Sequence, residues 1–158
     1  MVTATVSTAQ IVRQILKAAG LVALVTDEPL PTDGTPICYV SSMPDETDSA
    51  VLIKDTLGLN FGRSQRSRTL IHAGVKLWIR QPTFPPAVNY AQAIAIYFDN
   101  FPPQSAVSIP NDPSSPHCVQ SIYRVNTLVD LGEEVGKRRQ LWTLNARVAY
   151  GEEEPVKG

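Results

Sequence analysis

With 158 residues, 43% hydrophobic side chains and a formal net charge of −1, the chain is long enough to bury a core without disulfide or metal staples. It has no apolar run long enough to span a bilayer, and it lacks the basic excess typical of proteins that coat nucleic acid. Two distant cysteines, Cys38 and Cys118, form no disulfide framework, which suits a reducing compartment. The opening MVTATVSTAQ has neither the basic nor the apolar region of a secretory signal. The expectation is one cytosolic domain over 1–158, with 1–7 and 151–158 as flexible tails.

Ser7 and Gln10 have the spacing of a capping box, and Ile11, Ile15, Ala18, Ala19 and Val22 then recur on one helical face until Gly20 supplies a C-terminal cap. DEPLPTDGTP (27–36) reads as a loop, and ICYV and SAVLIKD read as short strands around the acidic turn MPDETD. Residues 55–68, rich in Gly and Ser, read as a long polar loop carrying Arg63, Arg66 and Arg68. LIHAGVKLWIR (70–80) alternates, with Val75, Leu77 and Ile79 on one face and Lys76, Trp78 and Arg80 on the other. Behind Pro85 and Pro86 a second helix is expected over 87–100, with Ala87, Tyr90, Ala91, Ile94, Phe98 and Phe101 as its apolar stripe and Ile96 on the other side.

A proline-rich loop then leads to two long strands, expected over 117–150, joined by the charged turn LGEEVGKRR. Tyr123, Val125 and Val129 share a face of the first, and Trp142, Leu144, Ala146, Val148 and Tyr150 share a face of the second. Strands adjacent in sequence are expected to pair antiparallel. The fold class read from this order is α+β: a small, mainly antiparallel sheet with a long C-terminal strand pair, covered by two amphipathic helices.

Motifs for chemistry are thin. GEEVGK (132–137) is one residue short of a phosphate-binding loop, is followed by Arg138 where a magnesium-binding hydroxyl would stand, and leads into a strand rather than a helix. His117 and Cys118 are adjacent and Cys38 and His72 isolated, so zinc-ligand spacing is missing. No GxSxG or HExxH stands in the chain. No catalytic, cofactor or metal residue is therefore assigned, and the chain reads as non-enzymatic. The arginine loop reads either as a soluble connector or as an arm that orders on a partner, with Arg63, Arg66 and Arg68 forking onto carboxylates or phosphates and Leu57, Leu59 and Phe61 as apolar anchors. The turn residues Glu133, Glu134, Lys137, Arg138 and Arg139 are further candidates for partner binding. Trp78 and Ile96 are either isolated apolar residues of an ordinary surface or parts of one subunit interface.

Taken in order, the N-terminal helix, SSMPDETDSAVLIKDT (41–56), the strand VKLWIR with the helical NYAQAIAIYFDNF, and the closing IYRV…GEEVGKRRQLWTLNARV resemble the minor capsid and tail terminator proteins of tailed bacteriophages. The likeness covers about residues 8 to 150 and is carried by the order of elements, with Pro44 and Asp45 before an apolar strand among its recurring types. The loops 56–68 and 102–116 are longer than the simplest family pattern needs. The resemblance implies a cofactor-free structural subunit of the virion, assembled in the host cytoplasm into rings, typically hexameric, that cap the tail tube and join it to the neck. Its implied partners are further copies of itself, the tail tube protein and a neck or connector protein, with genomic DNA passing through the lumen without specific recognition and no membrane involved. The alternative is a nucleic-acid-binding module using the arginine clusters, whose mark would be a basic face on the folded chain.

Overall fold

The structure, a computed structural model, describes residues 7–29, 33–40, 42–45, 47–56, 60–63, 69–82, 84–103, 105–110, 116–125, 127–134 and 139–151; for 60–63, 69–70 and 84–86 it describes the backbone alone. Helix α1 (Thr8–Ala18) opens as its sequence dictates. Ser7 accepts from the Gln10 N–H while the Gln10 side chain accepts from the Ser7 N–H, closing the capping box. It ends in a Schellman motif, in which Gly20 adopts φ 76° and the Gly20 and Leu21 N–H groups donate to Lys17 and Leu16. The buried stripe is Ile11, Val12, Ile15 and Leu16. Ala18 and Ala19, expected on that stripe, are exposed. Helix α2 (Phe84–Asp99) begins three residues earlier than expected, with Pro85 and Pro86 in its first turn, where the missing N–H groups cost little.

The strands are β1 (Ala23–Leu24), β2 (Ile37–Tyr39), β3 (Ala50–Asp55), β4 (Asn60–Arg63), β5 (Thr69–Gln81), β6 (Ser105–Val107), β7 (His117–Arg124), β8 (Val129–Glu133) and β9 (Gln140–Gly151). They form one curled, half-barrel sheet in the order β1-β2-β3-β5-β9-β7-β6, with β4 also beside β5 and β8 beside β9. The expected α+β class, a small sheet dominated by one C-terminal pair, is thereby corrected: with nine strands and two helices among the described residues the architecture is mainly β. The reason is physical. β1, β2, β4 and β6 have two to four residues each, too few to show a period of two, and their pairing is decided by neighbouring strands.

Two further expectations change. β1, β2 and β3 run parallel to one another, because the segment between β2 and β3 returns the chain to its starting side instead of making a hairpin. The segment expected as a polar loop, 55–68, contains β4, which pairs antiparallel with the start of β5.

The spine is the β5–β9 ribbon, paired in register from Leu70↔Gly151 to Gln81↔Gln140. Both of its flanks break at the same level. β3 and β4 lie on one side of β5 with a gap where the Thr56 N–H donates to the Gly74 carbonyl at 2.9 Å. β7 and β8 lie on one side of β9 with a gap where the Val125 N–H donates to the Asn145 carbonyl at 3.0 Å. Gly74 marks this waist, since a β-carbon there would collide with Thr56 Oγ1.

Both helices pack on one face of the sheet, against Val51, Ile53, Val75, Leu77, Ile79, Leu144, Ala146, Val148 and Tyr150. Phe98 and Ile94 of α2 are fully buried there, each such side chain stabilising by about 1.5–3 kcal/mol. Polar groups on this side are paired across elements. Asp55 accepts from the Ala9 N–H at the positive end of α1, and the Thr8 and Tyr150 hydroxyls lie 3.1 Å apart. Asp99, wrongly signed for a helix C-terminus, accepts from the Nε–H and Nη2–H of Arg124 at 2.9 and 2.6 Å.

Candidate functional site

Because strand side chains alternate, the residues between the core positions project to the opposite face of the sheet, which neither helix covers. Strand register arranges them in rows. Thr56, Gly74, Arg147 and Tyr123 make the first row, at the waist; Lys54, Lys76, Asn145 and Val125 the second; Leu52, Trp78, Thr143 and Val129 the third. No position in these rows is acidic, so although the chain as a whole is nearly neutral, Lys54, Lys76 and Arg147 concentrate three cations here. None of them makes an ion pair with a described carboxylate. Lys54 and Lys76 are directly cross-strand, a placement that like charges disfavour, and both ammonium groups approach the Trp78 ring, at 5.9 and 5.0 Å from its centroid. A shallow notch of about 200 Å³ opens at the waist between Thr56, Gly74, Val125, Asn145 and Arg147. Beside it Tyr123, Val125 and Val129 are 50, 55 and 41% exposed, a run of uncovered apolar side chains from the end of β7 to the start of β8. Among the described strands the outer edge of β8 has no partner, β9 being paired on its other side.

The lower end of this face is closed by an ion cluster. Arg139, 3% exposed, reaches Glu134 at 2.6 Å, Asp45 at 3.1 Å and Asp48 at 3.4 Å, and donates to the Asp45 and Thr47 carbonyls. Arg80, 7% exposed, donates to Glu134 at 3.0 Å and to the Pro44 and Thr47 carbonyls. Burial works to raise the Glu134 carboxyl, but the hydrogen bonds from Arg139 and Arg80 outweigh it and hold the group below its usual range. The cluster clamps the loop between β2 and β3 onto the end of the β8–β9 hairpin, whose turn is closed by the Glu134 N–H donating to the Arg139 carbonyl at 2.9 Å.

The residues expected to bind partners are dispersed. Leu57, Leu59, Arg66, Arg68, Lys137 and Arg138 lie outside the described residues, and of Phe61 and Arg63 only the strand backbone is described. Glu133 is exposed at the end of β8, whereas Glu134 and Arg139 are engaged within the subunit. Trp78 and Ile96 do not share a face. Trp78 is half-buried on the uncovered side of the sheet, while Ile96, 60% exposed, projects from α2 on the other. His117 and Cys118 are both buried on β7, and burial pushes the Cys38 thiol up to about 12, the opposite of an activated nucleophile. Among the described residues no cluster of three His, Cys, Asp or Glu groups could hold a metal, and no helix is long and apolar enough to cross a membrane.

No protein-family model matches the chain, and no curated protein matches it.

The sequence reading passed over Lys54, Arg147, Asn145 and Thr56 as site residues. Their signal was present in the alternation, which sets Lys76 with Trp78 and Asn145 with Arg147, but only the register between strands brings these positions into one patch.

Proposed function

We propose that the chain is a structural subunit of a tailed-phage virion, closing a ring at the head–tail joint that terminates the tail tube and connects it to the neck. The observation that carries this reading is a pair of unlike surfaces on opposite sides of one sheet. On one side the outward face of α2 centres on Ile96, and Asp99 is the single charge in the helix's 16 residues, a composition that suits burial. On the other side lies the run Tyr123, Val125 and Val129. Closed rings need head-to-tail contacts between two different patches, and unlike patches on opposite faces meet that requirement. The open edge of β8 offers strand pairing as a further contact.

In this reading one surface closes the ring, typically a hexamer as the family resemblance implies. A second meets the tail tube protein and halts its polymerisation, and a third docks to the connector, with genomic DNA passing through the lumen. The mechanism is geometric, without a cofactor, and the site of action is the virion after assembly in the host cytoplasm. Particles made without the protein should carry overlong or unattached tails in electron micrographs, and the purified chain should form rings, favoured by the tube or neck partner. Sedimentation showing a strict dimer both free and in the particle would refute the ring.

A second reading, nucleic-acid binding, draws support from Lys54, Lys76 and Arg147 rather than from the arginine clusters that first suggested it.

A further inference from the structure

The uncovered face combines two features that make opposite demands of whatever covers it. Lys54, Lys76 and Arg147 occupy neighbouring rows on adjacent strands, so they form a compact cationic triangle that asks for negative charge. The residues around it, Trp78, Tyr123, Val125 and Val129, are apolar and incompletely covered and ask for apolar contact. We propose that this face is the docking surface for an acidic protein segment, one that brings carboxylates to Lys54, Lys76 and Arg147 and apolar side chains to Tyr123, Val125 and the rim of Trp78. The inference deepens the assembly reading by naming the chemistry of one partner surface.

Charge complementarity selects an anionic occupant, and the flanking residues select protein over nucleic acid. Three clustered cations neutralise about two or three phosphates, enough for only a shallow salt dependence and weak backbone binding. Base stacking, which gives single strands their affinity for aromatic sheet faces, is compromised here because Trp78 already has two ammonium groups within 6 Å of its ring. A peptide uses the whole patch instead. Its carboxylates relieve the Lys54–Lys76 repulsion and its apolar side chains cover the run along β7 and β8, an aromatic and arginine-bearing surface of the kind that anchors protein interfaces. The notch at the waist, lined by Thr56, Gly74, Val125 and Arg147, gives one carboxylate a specific seat beside the Arg147 cation.

The test is selection from a displayed random-peptide library on the immobilised full chain, with counter-selection on the Lys54→Glu, Lys76→Glu, Arg147→Glu variant. Enrichment of peptides that alternate Asp or Glu with apolar residues is expected, with affinity falling about tenfold or more on the reversed variant and on the neutral Lys54→Gln, Lys76→Gln, Arg147→Gln variant. Thermal melts check that both fold, and the neutral one removes a like-charge pair and should be at least as stable as the wild type. Recovery of no peptides, of peptides without acidic enrichment, or of peptides indifferent to the neutral variant overturns the proposal. So does tighter binding of a fluorescent DNA duplex or of oligo(dT) than of the best peptide. Rings are scored separately by electron microscopy: rings without acidic-peptide binding overturn this inference alone, and acidic-peptide binding by a chain that never closes rings overturns only the ring.

Discussion

Replacing Arg139 with methionine should unclamp the loop between β2 and β3. The guanidinium is nearly sealed from solvent, with 4% of its side chain exposed, and it meets a Glu134 carboxylate that is 20% exposed. Removing one member of a buried pair typically costs about 3–5 kcal/mol. Two features discount that figure. Asp45 and Asp48, 76 and 65% exposed, lose little when their partner goes, and Glu134 keeps its bond to Arg80. Methionine also recovers part of the packing, and the Arg139 Nε, which lacks a hydrogen-bond partner among the described residues, is no longer buried. The expected loss is about 2–3 kcal/mol, read as a shift of the urea midpoint at unchanged slope, or as a melting temperature lower by about 5–10 °C for a chain of this size. A loss below about 0.5 kcal/mol, the range of ordinary surface substitutions, would refute the view that this cluster holds the loop.

The same cluster sets a pH dependence. The Glu134 carboxyl is depressed in the folded chain, so its contribution is fully present above the ordinary carboxylate pKa of 4.5 and is lost as pH falls through the lower, folded value. Asp27 and Asp33 are also depressed and act in the same direction, so the part that depends on Arg139 is read as the difference between wild type and Arg139→Met. The stability gap between the two should narrow as pH falls below that window, and a gap that widened on acidification would contradict the assignment.

Phe98→Ala, which opens a hole in the fully buried seam between α2 and the sheet, should cost about 3–5 kcal/mol in chemical denaturation. Gly74→Ala should cost about 1–3 kcal/mol, because its new methyl group meets Thr56 Oγ1, and a Thr56→Ala background should remove most of that cost. Ile96→Glu should change stability by no more than about 0.5 kcal/mol, since the side chain is 60% exposed, yet abolish ring formation in negative-stain micrographs; unchanged rings would remove α2 from the interface.

Where an element had length or a cap, its sequence was readable. The capping box at Ser7, the stripe Ala91, Ile94 and Phe98, and the alternation of β5 and β9 all reported their buried faces through local physics alone. What was not readable was non-local. β4 has four residues and owes its existence to pairing with β5 within a segment whose glycines and serines signal a loop. β7 ends at Arg124 and β8 begins at Val129 within what reads as one continuous strand, and the parallel course of β2 and β3 depends on where a loop returns the chain. Arg139 and Glu134 look like solvated turn charges until the loop carrying Asp45 and Asp48 is brought against them across the sheet. The candidate face was half legible in the same way: alternation sets Lys76, Trp78, Asn145 and Arg147 apart from the core, while only register makes Lys54 and Lys76 neighbours.

The two sides of the sheet differ in how their local conflicts are resolved. On the helix side Asp55 meets the start of α1, Arg124 answers a misplaced Asp99, and the Thr8 and Tyr150 hydroxyls pair, the Trp142 indole N–H being the exception. On the uncovered side two lysines face each other across strands, and Tyr123, Val125 and Val129 stand in solvent with no described element over them. Folding alone would be served by exchanging either lysine for a neutral residue and any of the three apolar residues for a polar one. Their joint presence on one face runs against the subunit's own stability and in favour of a surface made to be covered. The covering molecule that removes both costs together is one carrying carboxylates and apolar side chains at once. A purely polyanionic partner would leave Val125 and Val129 in water, and a purely apolar one would bury the lysines unpaired, the more expensive error of the two.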